Sequence, residues 1–332
     1  MQNSIIQEGK ILRCVGGLYR IRLSAGESPA PEIVSCRAKG AFRYENITPL
    51  PGDNVLVSLD NPEEGSMEKD REVRIEKVLP RRNEMIRPPM ANLDYLFITV
   101  SVASPAPIPL TIDKLICCAE YRDIEPVILI TKQDLNPPLA KEWKERYRKA
   151  GYLTFCFSAL KEEETDAADF KKFITEELIQ KEKTAAFAGA SGVGKTTLMG
   201  QWFPEMNLVV GEVSRKNNRG KQTTRTVELY PLQPEIGKTG YLADTPGFSA
   251  LDLENGSLLS KEDLPLTMRE FRPYLGQCRY RKCTHTKEEG CAVLKAVEDG
   301  IIDRGRQESY RTLYEELKKV HAWDIRKQKQ TK

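Results

Sequence analysis

The chain has 332 residues, with charged residues at 30%, hydrophobic residues at 40% and a formal net charge of +3. That is the composition of a soluble globular protein of about two or three domains, and a charge so close to neutral excludes nucleic-acid binding by overall basicity, leaving only local clusters. No apolar run approaches the ~20 residues of a membrane span, and the opening MQNSIIQEGK lacks the basic start and apolar core of a signal peptide, so the chain is expected in the cytoplasm without membrane contact.

From Ile5 to Val78, short β-like runs alternate with turn signals: Gly9–Cys14, Leu18–Leu23, Glu32–Arg37, Asp53–Leu59 and Glu72–Lys77. Such runs predict a small β-barrel, and the oligonucleotide/oligosaccharide-binding (OB) type is favoured. Leu50-Pro51-Gly52-Asp53 reads as a tight turn and Asn61–Asp70 as a polar surface loop. Arg37, Lys39, Phe42, Arg43 and Tyr44 interleave basic and aromatic groups as an RNA-contacting loop does, although a solvated charged loop explains them equally well.

After the linker Leu79-Pro80-Arg81-Arg82 the period changes. Tyr95–Val102 is a continuous β-rich run of the kind buried on both faces, followed by the turn-forming Ser104–Pro109 and a helical Leu110–Tyr121. A second buried strand, Pro126–Ile130, ends at Thr131-Lys132-Gln133-Asp134. A helical Leu139–Ala150, a strand Tyr152–Phe157 ending at Ser158-Ala159 and a helical Ala167–Gln180 follow. Alternating strands and helices predict an α/β domain with a parallel sheet, in which ligand groups sit at the carboxyl ends of the strands.

Thr184–Thr197, TAAFAGASGVGKTT, then carries a short apolar strand into a glycine-rich turn and a helix start. Gly189, Gly194, Lys195 and Thr196 fit G-x-x-x-x-G-K-[ST]: the glycines let backbone N–H groups converge on phosphates, Lys195 reaches the β/γ-phosphates and Thr196 holds Mg²⁺. The motif indicates a nucleoside triphosphate and is silent on the base. Thr131-Lys132-Gln133-Asp134 resembles the guanine-reading N-K-x-D motif, in which the Asp carboxylate accepts from the guanine N1–H and exocyclic amine while the Lys stem packs over the base. Ser158-Ala159 resembles the S-A-[KL] loop that backs the base. Each is a weak signal alone. Placed at two successive strand ends beside a phosphate loop, they favour GTP over ATP, because adenine offers no such donor pair.

Gly211–Thr226 is polar, glycine-bearing and basic, as a mobile switch must be, and Thr223 or Thr224 can supply a hydroxyl that joins Mg²⁺; Thr224 is favoured. Tyr241–Ala243 forms a strand into Asp244-Thr245-Pro246-Gly247, a D-x-x-G motif in which Asp244 holds Mg²⁺ through water and the Gly247 N–H binds the γ-phosphate. Phe248 follows, where many GTPases place a water-orienting Gln. The sequence therefore names no catalytic residue, and intrinsic hydrolysis is expected to be slow until a partner acts.

Of eight cysteines, expected to be thiols or metal ligands in a reducing compartment, three lie with one of only two histidines in C-x₄-C-x-H-x₅-C. Cys278, Cys283, His285 and Cys291 make a closed set for one structural Zn²⁺. Cys14, Cys36, Cys117, Cys118 and Cys156 read as core or incidental thiols. Arg269, Arg272, Arg279, Arg281 and Lys282 surround the cluster, and a helical Gly305–Val320 leads to a basic tail at Arg326, Lys327, Lys329 and Lys332. Contact with RNA phosphates is the expectation for these groups.

Guanine-reading motifs before the phosphate loop, with both switches after it, resemble the circularly permuted GTPases. With the OB-like barrel and the cysteine cluster, the chain resembles, over nearly its whole length, the RsgA (YjeQ/YloQ) family of small-ribosomal-subunit biogenesis GTPases. The resemblance implies an OB-fold domain at 1–80, a circularly permuted GTPase domain at 81–255 and a zinc-binding helical domain with a basic tail at 256–332. It implies that GTP is held by Thr131, Lys132, Gln133, Asp134, Ser158, Ala159, Gly189, Ala190, Ser191, Gly192, Val193, Gly194, Lys195, Thr196, Thr197 and Gly247. Mg²⁺ would be held by Thr196, Thr224 and Asp244, and zinc by the cluster. It further implies hydrolysis of GTP to GDP and phosphate in late maturation of the small ribosomal subunit, with that subunit and its rRNA as partners; a monomer is the default. Thr131 departs from the Asn of the strict motif. Two other readings stand beside this one: an RNA-binding module with nucleotide as a structural ligand, and an ATP-using P-loop enzyme.

Overall fold

The computed structural model describes residues 4–24, 32–38, 47–60, 73–86, 88–158, 165–203, 227–233, 235, 239–244 and 259–319. The chain divides into two compact units, one of Met1–Asp94, Lys171–Ala186 and Leu198–Pro246, the other of Tyr95–Phe170, Phe187–Thr197 and Gly247–Lys332. Among the described residues no helix is long and apolar enough to cross a membrane.

In the first unit, strands β1 (Ser4–Val15), β2 (Leu18–Leu23), β3 (Ile33–Ala38), β4 (Asn54–Asp60) and β5 (Val73–Val78) run in the order β1-β2-β3-β5-β4, and β4 pairs back on β1 to close a barrel. Only β3 and β5 are parallel. This is the OB-like barrel expected from the sequence. Its core is built from alternate residues, as the pleat requires: Ile11, Tyr19, Ile21, Leu23, Val34, Cys36, Val55, Val57, Leu59 and Ile75. Gly9 pairs with both Leu23 and Val55, and a Cβ there would lie 2.7 Å from Ile21 Cγ2, so the strand turns from one neighbour to the other where no side chain intrudes. The turn at Gly52 has φ +92°, and a Cβ would meet the Ala91 carbonyl oxygen at 2.0 Å. Asp53, fully buried beside it, pairs with Arg81 at 2.7 Å.

A short hairpin, β6 (Glu84–Ile86) with β7 (Pro89–Ala91), follows the barrel. The first unit also holds β12 (Glu228–Pro231) and β13 (Tyr241–Asp244), antiparallel to each other; residues 184–186 of β11 (Thr184–Ala188) pair in parallel with β13, and Glu228 pairs with Arg13 of β1.

In the second unit β8 (Tyr95–Ser101), β9 (Glu125–Thr131) and β10 (Leu153–Cys156) are parallel, in the order β10-β9-β8. Every residue of β8 is buried, which is why its sequence runs apolar without alternation. Phe170 sits edge-on to Phe97, Phe155 and Phe157 at ring centroids 5.2–5.7 Å apart. Helix α1 (Pro109–Glu120) opens with proline at its start, and α2 (Pro137–Lys149) is capped by Asn136, whose side chain accepts from Leu139 N at 3.3 Å.

The helix expected over Ala167–Gln180 is α-helical only to Phe173 (α3, Ala167–Phe173). Ile174–Ile179 forms a π-helical turn, with Gln180 N bonded to Thr175 O at 3.0 Å. Helices α4 (Lys195–Trp202), α5 (Ala292–Glu298) and α6 (Arg304–Lys318) complete the described set, with 3₁₀ turns at Leu264–Thr267 and Arg269–Tyr274.

Candidate nucleotide site and metal centre

Strand β11 delivers the chain into the phosphate loop, and the loop's glycines are dictated by space. Gly189 has φ +140°, and a Cβ there would lie 2.4 Å from the Thr99 carbonyl oxygen, a distance no side chain tolerates. Gly192 and Gly194 also take positive φ, +79° and +102°. Lys195 opens α4 and folds back over the turn, its ammonium donating to Gly189 O at 2.7 Å and Ala190 O at 2.6 Å. Burial lowers the pKa of that ammonium from its ordinary value, and an anion in the loop would oppose this. Ala190, Ser191, Thr196 and Thr197 are exposed around the turn, while Val193 is buried beneath it.

The candidate base-reading segment is joined to this loop by side chains. Thr131, buried at the end of β9, places its hydroxyl 2.5 Å from Val193 O and 3.2 Å from Val100 O, and a Cβ on Gly194 would lie 3.5 Å from its methyl group. Lys132 adopts φ +58° and donates to Gly192 O at 3.0 Å and to Ser104 O. Gln133–Leu135 then forms a 3₁₀ turn, held by Gln133 N bonded to Phe157 O at 3.1 Å, while Phe157 N bonds Ile130 O at 2.7 Å. The ends of β9 and β10 are thereby stitched together, with Ser158 buried beside them. Asp134 rides on the turn, half-buried, and its carboxylate makes no hydrogen bond or ion pair among the described residues. It is free to accept from a base.

Thr131, Lys132, Asp134 and the phosphate loop all lie in the second unit. Asp244 ends β13, whose strand pairs in parallel with β11. Ala159, Gly211–Thr226 with Thr223 and Thr224, Gly247 and Phe248 lie outside the described residues. Sequence reading missed the part of Ser104: its carbonyl anchors Lys132, and only its place in a turn after β8 hinted at it.

The second cluster could hold a metal ion. The donor atoms of Cys278, Cys283, His285 and Cys291 all lie within 4.8 Å of one another. Cys278 Sγ and Cys291 Sγ are each 3.5 Å from His285 Nδ1 and 3.9 Å from each other. Metal–ligand bonds of about 2.0–2.3 Å in a tetrahedron require ligand separations of roughly 3.5–3.8 Å, close to the three separations among Cys278, His285 and Cys291, so the set suits a metal ion. Without an ion, burial pushes the Cys283 thiol up to about 12 and lowers His285, whereas a divalent charge reverses the first effect.

The residues around the cluster are tied by polar contacts. Ala292 N donates to Cys278 Sγ at 3.4 Å, and Cys291 occupies the N-cap position of α5 without a side-chain cap bond. The Tyr310 hydroxyl donates to Thr284 O at 2.8 Å. Glu288 accepts from Thr284 N at 2.8 Å and Thr286 N at 3.1 Å. Burial alone would raise the Glu288 carboxyl, but these bonds from Thr284 and its neighbours hold it down at about 2. A carboxylate that brackets the loop in this way has no sequence signature beyond its own charge.

Two cations expected to face RNA are already paired with carboxylates. Arg269 pairs with Glu120 and, at 2.6 Å, with Glu125, while its guanidinium lies 4.7 Å from the Tyr152 ring centroid. Arg272 pairs with Glu120 at 2.6 Å. Arg306, fully buried, is held by Asp113 and Glu270. Lys39, Phe42, Arg43, Tyr44 and the tail from Arg326 lie outside the described residues.

Comparison with known proteins fits this geometry. The RsgA GTPase family model matches residues 78–254 and the RsgA N-terminal domain model residues 8–67. A protein of Caldanaerobacter subterraneus subsp. tengcongensis described as "Small ribosomal subunit biogenesis GTPase RsgA" is 39% identical, over 94% of this chain and 96% of its own. The Bacillus subtilis protein of that description is 35% identical over 94% and 97%. The crystal structure titled "YloQ, a circularly permuted GTPase" superposes with a TM-score of 0.71 at 31% identity, over 95% of this chain and 96% of that one. YjeQ from Thermotoga maritima superposes at 0.74 with 28% identity, over 96% and 100%. A candidate base-reading segment that precedes the phosphate loop is the chain order of a circularly permuted GTPase, and with these matches it follows that the chain belongs to the RsgA GTPase family.

Proposed function

We propose that the chain hydrolyses GTP to GDP and phosphate as a ribosome-stimulated switch in the late maturation of the small ribosomal subunit, and that it binds the rRNA of that subunit. The observation that carries the reading is the bracing of the phosphate loop by Thr131 and Lys132, beside an Asp134 carboxylate left free for a base. The description of its relatives as small ribosomal subunit biogenesis GTPases supports the subunit.

In this reading Thr131, Lys132, Gln133 and Asp134, with Ser158 and Ala159, receive guanine. Gly189–Thr197 and Gly247 receive the phosphates. Thr196, Thr224 and Asp244 hold Mg²⁺, which neutralises charge on the β- and γ-phosphates when bound. Cys278, Cys283, His285 and Cys291 hold a structural Zn²⁺: three thiolates and one imidazole in a closed tetrahedron suit that ion. Residues 1–80 act as the RNA-binding barrel, 81–255 as the GTPase and 256–332 as the zinc-bearing module, in a monomeric cytoplasmic protein.

The test is GTP hydrolysis by the purified protein, alone and with small ribosomal subunits, with large subunits and ATP as controls. Stimulation of GTP turnover by small subunits only is expected. Guanine-nucleotide binding with no turnover under any condition would refute the enzyme reading in favour of nucleotide as a structural ligand, and equal stimulation by large subunits would refute the partner.

A further inference from the structure

Between the first two metal ligands, Cys278 and Cys283, the chain forms a knuckle of Arg279-Tyr280-Arg281-Lys282. Its stem is fixed. Arg279 N donates to Gly290 O at 3.0 Å, Cys283 N donates to Tyr280 O at 3.2 Å, and the donor atoms on either side converge on one point. Gly290, at φ +74°, lies so close to Arg279 that a Cβ would sit 2.9 Å from the Arg279 Cβ. The tip, by contrast, faces solvent. All four of its residues are exposed, Tyr280 by 49%, and the Arg279 guanidinium lies 5.6 Å from the Tyr280 ring centroid.

The cations of this tip differ from their neighbours. Arg269, Arg272 and Arg306 are consumed by carboxylates, whereas Arg279, Arg281 and Lys282 have no ion pair among the described residues. A rigid loop that presents an aromatic face flanked by three unneutralised cations has two complementary needs, a flat π-surface and phosphates around it. A single-stranded nucleic acid supplies both, since every base has a π-face and Arg adds cation–π contact. A duplex supplies only the phosphates.

We propose that the knuckle is a recognition tip for RNA, in which Tyr280 stacks on an unpaired base while Arg279, Arg281 and Lys282 contact the neighbouring phosphates. The proposal rests on the rRNA reading above and adds the mode of contact: this module reads an unstacked nucleotide in a loop, bulge or end.

The test uses the full-length, metal-loaded chain and its Tyr280→Ala, Tyr280→Phe and Arg281→Gln/Lys282→Gln variants. Binding is measured to small ribosomal subunits, to their deproteinised RNA, and to a single-stranded oligoribonucleotide and its fully paired duplex. Tyr280→Ala is expected to weaken subunit, deproteinised-RNA and single-strand binding by roughly 10- to 100-fold and to leave duplex binding unchanged, with Tyr280→Phe close to the unaltered chain. The double variant should reduce the slope of log affinity against log salt by about 1.4 on the single strand, ~0.7 for each lost phosphate contact. Metal content and GTP turnover without subunits should not change. Equal binding by Tyr280→Ala and the unaltered chain overturns the proposal, as does a loss confined to intact subunits, which would assign the tip to a ribosomal protein. Failure of the unaltered chain to bind subunits at all would sink the rRNA reading itself, and the tip with it.

Discussion

Arg306 is completely buried, and replacing it by methionine tests what holds the C-terminal helices to the strands and helices of the second unit. Its guanidinium donates to Asp113 of α1 and bidentately to Glu270, at 2.7 and 3.3 Å, while its plane lies 5.7 and 5.4 Å from the ring centroids of Tyr147 and Tyr152. Removing the cation leaves two carboxylates in a low-dielectric interior with only the Tyr147 hydroxyl, at 3.2 Å from Asp113, to solvate them. Breaking a buried pair in this way costs about 3–5 kcal/mol, mostly as uncompensated charge rather than lost contact. At a urea m-value of about 2–3 kcal/mol/M, the midpoint should fall by about 1–2 M. Arg306→Met/Asp113→Asn/Glu270→Gln, in which the site is neutral throughout, should recover most of that loss. The recovery is expected to be large because the native triad is incompletely satisfied, Asp113 Oδ2 being buried without a hydrogen-bond partner. The assay is urea unfolding followed by circular dichroism and, in parallel, by release of the bound metal. A single variant that loses less than about 1 kcal/mol, or a neutral triple variant no more stable than the single one, would refute the reasoning.

Thr131→Val removes only the hydroxyl and leaves Val193 O without its donor, so equilibrium binding of a fluorescent GDP analogue should weaken by about 5- to 100-fold, at ~1–3 kcal/mol; unchanged affinity would mean that the loop is braced by Lys132 alone. Gly189→Ala sets a methyl group against Thr99 O and should abolish GTP binding while the circular dichroism spectrum is kept, and retained binding would show that the loop can shift. Asp134→Asn should move preference from guanine toward xanthine nucleotides in a competition assay, since an amide donor suits the xanthine carbonyl, and an unaltered preference for GTP would remove Asp134 from base reading. Chelation, or Cys291→Ser, should release one metal per chain and lower the melting temperature of the C-terminal helices, because Cys291 is both a ligand and the residue that opens α5; an unchanged transition after metal loss would make the centre incidental to folding.

What was legible in the sequence is what burial or close approach imposes locally. Strand β8 declared itself because both of its faces are covered, and the barrel strands because one face is. Gly189 was legible because Thr99 O leaves it no room for a side chain, and the metal set because four donors recur at short spacing. The hairpin Glu84–Ile86 with Pro89–Ala91 escaped because three-residue strands carry no periodicity. Arg269 and Arg272 read as RNA-facing cations for a different reason. Their carboxylate partners, Glu120 and Glu125, lie 144 to 152 positions away, so the charge pattern around each arginine contains nothing of what neutralises it. Thr131 shows the converse. It departs from the Asn of the strict motif, yet its hydroxyl reaches the phosphate loop.

The same limit explains β1, whose expected extent of Gly9–Cys14 proved to be half of a strand running from Ser4 to Val15. The barrel closes only if one strand pairs on both sides, and β1 does so in succession: Ser4–Lys10 lie against β4, Gly9–Val15 against β2, with Gly9 and Lys10 shared at the corner. A six-residue strand could have met one neighbour and not the other. The length needed for closure also leaves Arg13 beyond the reach of β4, with a free edge, and there it pairs with Glu228. Glu228 in turn pairs with Asp244 across β12 and β13, and its carboxylate is held by Arg13 at 3.1 Å and Arg20 at 3.3 Å. One residue of a four-residue strand thus stands between the barrel and Asp244, the aspartate of the D-x-x-G motif. The strand is in register with β13 at all four of its residues and meets β1 at Glu228 alone, so its register is set by β13, and Glu228 with its two arginines ties it to the barrel.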